Sequence, residues 1–201
     1  NTITRKRRYA LCKLVAMKNL KRREILEFLQ PQRLNSNKNT AKAVYNLAKT
    51  GGLISENSVG QVQCEFKPKI VHDFDYFRKK VAKKVFQNFE LMFCRFTSWY
   101  IARGTKVLDE SDQELVKNFD NEVNESDSAN LYNPTNIKAW RTWAQFLGIG
   151  FVHNKILVPN VYLRLKDVLE EGIPFSKNKK IMFGKFMDWL AEVCPELDGG
   201  E

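Results

Sequence analysis

Two sets of residues in this chain are of types that could do chemistry, and they point in different directions. The first is His72-Asp73-Phe74-Asp75, where a histidine and two carboxylates crowd together and an acid/base pair or a metal ion would find ligands. A lone histidine beside a turn, with no partner set elsewhere in the chain, reads as structural. His153 is the only other histidine, and Cys12, Cys64, Cys94 and Cys194 show no C-x-x-C spacing. A zinc cluster or a disulfide framework is therefore poorly supplied, and the four read as buried free thiols of a cytoplasmic protein. The chain also lacks a glycine-rich phosphate loop, a G-x-S-x-G elbow and an H-E-x-x-H pair. The expectation is a protein that is not an enzyme and takes no cofactor or metal.

The second set is basic and amide-bearing. Lys38, Asn39, Lys42, Tyr45, Asn46 and Lys49 recur at helical spacing, with no acidic residue between Arg33 and Ser55, and the run Arg5-Lys6-Arg7-Arg8 lies near the start of the chain. Asparagine pairs with adenine edges and lysine with guanine or phosphate, while a run of cations grips the backbone. Residues 1–84 hold 20 Lys and Arg against 6 Asp and Glu, a net of +14; residues 85–201 hold 13 against 17, a net of −4. A half-chain so biased supplies the counterion release that drives duplex binding. The plainer alternatives are a solvated lysine-rich face, attraction to anionic lipid, or a module that docks protein.

The elements that must position these residues follow from the apolar spacing. Tyr9 to Met17 and Lys21 to Leu29 each cover one helical face, and Pro31 stops the second. Asn35 to Asn39 is a polar turn leading into a third helix, Thr40 to Thr50, with Ala41, Val44, Leu47 and Ala48 as its apolar stripe and Gly51-Gly52 as its stop. Leu53-Ile54, a turn over 55–60 and the alternating run Gln61 to Phe66 read as a β-hairpin. Three short helices and a hairpin are the order of a winged helix-turn-helix, in which the third helix enters the major groove.

Beyond it, Phe74, Phe77, Val81, Val85, Phe89, Met92, Phe96, Trp99 and Tyr100 step at three and four residues, as in a long core helix, either continuous or broken once. Gln87, Asn88, Glu90 and Arg95 interrupt the apolar stretch Val85 to Ala102, which excludes a membrane span. Asp109 to Asn130 carries eight acidic residues against Lys117 and reads as a short acidic helix and a linker. Asn136 to Leu147, the stop Gly148-Ile149-Gly150 and the segment Phe151 to Pro159 then repeat the helix-and-hairpin pattern. Lys42-Ala43, Ala48 and Gly52 recur as Lys138-Ala139, Ala144 and Gly148, all displaced by 96 positions. The tail holds two further helical patterns, Val161 to Leu169 and Ile181 to Val193, around a basic loop over 176–180.

The fold class expected is mainly α, with winged helix-turn-helix units joined by a long aromatic-rich helix. Its parts are an amino-terminal DNA-binding domain over residues 1–70, a connecting helix or helices over 71–108, an acidic linker over 109–132 and a second winged-helix-like domain over 133–201. Asn1 in place of a methionine and the abrupt Gly199-Gly200-Glu201 suggest a piece of a longer protein.

The amino-terminal winged-helix pattern, Asn133 to Gly148 with Trp140 and Trp143, Val158-Pro159, Leu190-Ala191 and the closing Pro195-Glu196-Leu197-Asp198-Gly199-Gly200 together resemble DpdG-like proteins. Those proteins accompany deazapurine DNA-modification islands and other bacterial phage-defence gene clusters. The acidic segment and the stop at residue 201 depart from the family's pattern. The resemblance implies a DNA-associated, non-catalytic subunit of a defence or restriction complex, with a larger ATPase or nuclease partner doing the chemistry. Double-stranded DNA is the expected ligand, a homodimer is left open, and no membrane partner is expected. The rival readings are a stand-alone winged-helix transcriptional regulator, which requires a symmetric dimer and a palindromic site, and a winged-helix adaptor that binds protein only.

Overall fold

The computed structural model describes residues 2–33, 39–88, 91–123, 132–174 and 180–197, and within them the side chains other than those of 2–6, 8, 43 and 47. The protein is mainly helical with two small antiparallel sheets, and it clusters into two compact units, Asn1–Val81 and Ala82–Glu201.

The first unit opens with α1 (Thr2–Met17), followed by β1 (Leu20–Lys21), α2 (Arg22–Leu29), α3 (Asn39–Thr50), β2 (Ile54–Glu56) and β3 (Gln61–Cys64). The strands form one sheet in the order β1-β3-β2, with Leu20 opposite Val62 and Ile54 opposite Cys64. Leu11 and Val15 of α1, Ile25 of α2 and Ala41, Val44 and Ala48 of α3 meet Leu53, Ile54 and Val62 in the core. α4 (Pro68–His72) packs on α1, and α5 (Phe74–Phe86) begins in this unit, where Phe77 lies 5.4 Å from the Tyr9 ring and 5.6 Å from Phe66. α1 starts at Thr2 rather than at Tyr9, so the run Arg5 to Arg8 is part of the helix; arginine and lysine are good helix formers and continue it toward the amino terminus.

The second unit holds α6 (Met92–Ala102), a 3-10 turn (Gly104–Leu108), α7 (Asp112–Val123), α8 (Pro134–Phe146), β4 (Gly150–His153), β5 (Ile156–Pro159), α9 (Tyr162–Glu171) and α10 (Phe183–Val193). Its core is aromatic. The Phe96 ring lies 4.6 Å from Tyr132, 4.8 Å from Trp140 and 5.0 Å from Phe119, and the Trp140 indole donates to Thr97 Oγ1 at 2.9 Å.

Two expectations are refined. The stripe from Phe74 to Tyr100 takes the broken form, two helices with a single break: α5 ends at Phe86 and α6 starts at Met92, with Leu91 already extended at φ −68 and ψ 123. Apolar spacing of three and four persists across two helices packed into one core, so period alone does not reveal the break. Within 109–132 the short acidic helix is α7, and it is a core element as well as a solvated one, because it buries Leu115 and Phe119 completely. Its carboxylates sit outside that apolar pair and are partnered: Arg141 donates to Asp112 at 2.6 Å, and Arg103 donates to Glu122 at 2.6 Å and also to Glu110.

The displacement of 96 positions is carried by backbone geometry. At the end of α3, Gly52 (φ 63) donates to the Lys49 carbonyl at 3.0 Å and Leu53 to that of Ala48 at 2.8 Å. At the end of α8, Gly148 (φ 87) donates to Gln145 at 3.4 Å and Ile149 to Ala144 at 2.9 Å. Both are left-handed glycine stops with paired closing bonds, and Leu53 and Ile149 drop into their cores. After each hairpin the chain returns to the same carbonyl, Glu65 N–H to Leu53 at 3.0 Å and Asn160 N–H to Ile149 at 2.9 Å. The preceding helices start alike as well, with Lys21 N–H donating to Glu24 and Ser111 N–H to Glu114, each at 2.7 Å. The third strand has no counterpart: the 3-10 turn packs against β5, and the Tyr100 hydroxyl donates to the Leu157 carbonyl at 2.8 Å.

Candidate nucleic-acid interface

The residues picked out on the third helix are sorted by the apolar stripe that docks it. Ala41, Val44, Tyr45 and Ala48 lie at i, i+3, i+4 and i+7, and all are buried, leaving Asn39, Lys42, Asn46 and Lys49 on the exposed side. Gln30 anchors the start of the helix, its side-chain oxygen accepting from Ala41 N–H at 3.2 Å.

Tyr45 is corrected from an outward position to the interior, with 1% of its surface exposed. Its ring fills the stripe between α2 and α3, and its hydroxyl donates to Glu56 at the end of β2. Burial first, and then that carboxylate, push the phenol well above its usual range. Lys38 lies outside the described residues, as do the side chains of Arg5, Lys6 and Arg8; Arg7 is half-buried.

The structure adds residues that the sequence reading passed over. Lys21, Arg22 and Arg23, at the start of α2, are all exposed, and the Arg22 guanidinium stands 5.2 Å from the centre of the Tyr45 ring. The apolar spacing that places a helix over 21–29 does not single them out; the signal is three consecutive cations at the entry of the helix that precedes α3. Lys49 Nζ reaches Glu56 Oε2 at 2.9 Å. The Tyr45 hydroxyl and then Lys49 hold the Glu56 carboxyl below its ordinary value of 4.5.

The hairpin beside α3 turns through Asn57 to Gly60. The Asn57 side chain accepts from Val59 N–H at 3.1 Å and from Gln61 N–H at 2.9 Å, and Gly60 takes the left-handed conformation at φ 75. Val59 is 67% exposed at its tip. Residues 1–81 carry 18 Lys and Arg against 6 Asp and Glu, a net of +12. An exposed amide-and-lysine helix face, a cationic helix entry and a protruding hairpin thus belong to one strongly cationic unit.

The corresponding surface of the second unit differs. At the same displacement α8 offers Thr135, Lys138, Thr142 and Gln145, a single charge in place of two. Its hairpin closes through Asn154 and Lys155, both left-handed at φ 46 and 67. Phe151 and Val152 of β4 are 48% and 38% exposed, and every residue of α10 is at least partly exposed, Phe183 at 75%.

The crowded segment at His72 has a local structural use. The His72 carbonyl accepts from the Tyr9 hydroxyl at 3.1 Å, and Asp73 Oδ1 accepts from Tyr76 N–H at 2.9 Å at the start of α5. Among the described residues no group of three or more His, Cys, Asp and Glu could hold a metal ion, and no helix is long and apolar enough to cross a membrane. All four cysteines are free thiols, Cys12, Cys94 and Cys194 buried and Cys64 half-buried.

A family model described as DpdG-like matches residues 4–201. No curated protein and no solved structure matches the chain.

Proposed function

The chain belongs to the DpdG-like family, and from that premise we propose that it is the DNA-binding, non-catalytic member of a bacterial DNA-modification or anti-phage defence assembly, working in the cytoplasm. The first unit is read as a winged helix: its order of helix, strand, helix, helix, hairpin and its sheet order β1-β3-β2 fit that fold. α3 is then the recognition helix, with Asn39 and Asn46 facing base edges and Lys42 and Lys49 facing bases or phosphate. Lys21, Arg22 and Arg23 hold the backbone beside it, and the run Arg5 to Arg8 adds four further cations to the same unit. The observation that carries the reading is the exposed Asn39, Lys42, Asn46 and Lys49 face within a unit of net charge +12.

The second unit repeats the helix-and-hairpin architecture without the charge, and we assign it to protein contact. Phe151, Val152, Tyr162, Met182 and Phe183 are all more than a third exposed, apolar side chains available to such a contact. Its partner is a larger ATPase or nuclease subunit that performs the chemistry. Replacing Lys38, Lys42 and Lys49 together by glutamate is expected to abolish the gel shift of a duplex while leaving the circular dichroism spectrum unchanged. An undiminished shift by that variant removes α3 from the interface.

A further inference from the structure

Two helices of the first unit gather functional groups around one carboxylate on the hairpin. Glu56, at the end of β2, accepts from the Tyr45 hydroxyl of α3 and takes the Lys49 ammonium at 2.9 Å, and Arg22 of α2 covers the face of the same Tyr45 ring at 5.2 Å. Lys49 lies in the last turn of α3 and reaches the turn end of β2, where a duplex lying across helix and hairpin would present a phosphate. Its ammonium is already occupied. The Glu56 side chain keeps 30% of its surface exposed and Lys49 50%, so the pair is accessible rather than sealed.

We propose that Glu56 is a gate on the DNA surface: a phosphate seated between α3 and the hairpin must take Lys49 from Glu56, and the carboxylate repels any polyanion that does not. This rests on the duplex-binding reading of the same face. Glu56 acts through Lys49 and Arg22 and is a specificity residue of the surface, making no base contact of its own. An exposed lysine-carboxylate pair is weak enough to exchange, and a duplex phosphate of equal unit charge replaces the carboxylate as one member of a polyanion whose other phosphates are held at the same time by the surrounding cations. The buried Tyr45 hydroxyl keeps Glu56 from swinging away with its lysine, which makes the exchange a substitution at Lys49.

The test is anisotropy titration of one duplex with the wild type, E56Q, Y45F and the double variant K49Q/E56Q, each over a series of salt concentrations. Glutamine keeps an acceptor for the Tyr45 hydroxyl. E56Q is expected to bind about threefold to tenfold more tightly, with a log affinity against log salt slope steeper by up to about 0.9, because the cation that the freed Glu56 recruits in the wild type no longer offsets the counterion released at the Lys49 phosphate. K49Q/E56Q loses that extra slope, and Y45F, which keeps both charges, does not steepen it. Binding by E56Q that is no tighter than wild type, with the same slope, overturns the gate while leaving the duplex reading intact. Absence of binding by every protein at low salt overturns both.

Discussion

Single carboxylates set much of the local order in each unit. Glu122, on α7, accepts from the Trp99 indole at 2.8 Å and from Arg103 at 2.6 Å, and these donors, the indole first, hold its carboxyl below the ordinary 4.5. A carboxyl depressed in the folded state adds stability that is complete above the unfolded value and is lost as pH falls through the folded one. Acidification below about 4.5 should therefore lower the urea midpoint followed by tryptophan fluorescence, and E122Q should show a shallower fall over the same range. Equal acid sensitivity in the two proteins would mean that Glu122 contributes nothing through its charge. Tyr45 teaches a related lesson about reading residue types. Its hydroxyl invited assignment to the polar face, yet positions 41, 44, 45 and 48 form one stripe, and its ring completes that stripe. The stripe was legible in the sequence; an amphipathic side chain with a polar tip concealed one of its members.

At the scale of elements, the hairpins and glycine stops were the most legible features because few residues can adopt their backbone conformations. Gly52 and Gly148 lie at positive φ where the helices end, and the displacement of 96 that links them in sequence links the closing hydrogen bonds as well. What the sequence concealed were boundaries and partners. The apolar spacing through Phe74 to Tyr100 belongs to two helices, and the carboxylates around Leu115 and Phe119 outweighed a buried pair only four residues apart. In the candidate interface Lys42, Asn46 and Lys49 were visible from spacing, whereas the Glu56 contact to Lys49 and the cations of α2 depend on tertiary packing. The glycines of the hairpins give a graded test. A Cβ at Gly150 would run into the Val158 carbonyl oxygen of the paired strand, while one at Gly60 meets nothing within 4 Å and suffers only its positive φ. G60A should cost about 1 kcal/mol in denaturant unfolding, and G150A about 2–3 kcal/mol because rigid backbone must move. A smaller loss at Gly150 than at Gly60 would contradict the pairing of β4 with β5.

For the whole molecule, the two units share an architecture and divide the charge unequally, +12 in residues 1–81 against −2 in residues 82–201, where 15 Lys and Arg face 17 Asp and Glu. That division is the basis for assigning nucleic acid to one unit and protein to the other. Under that assignment the proposed interface is dominated by phosphate contacts, whose strength is read from salt. The most direct test is fluorescence anisotropy of a labelled duplex of arbitrary sequence titrated with the intact protein at stepped salt concentrations. The account predicts tight binding at low salt and a linear fall of log affinity with log salt equivalent to several phosphates, at about 0.9 per contact. No binding at the lowest salt, or an affinity indifferent to salt, would contradict it.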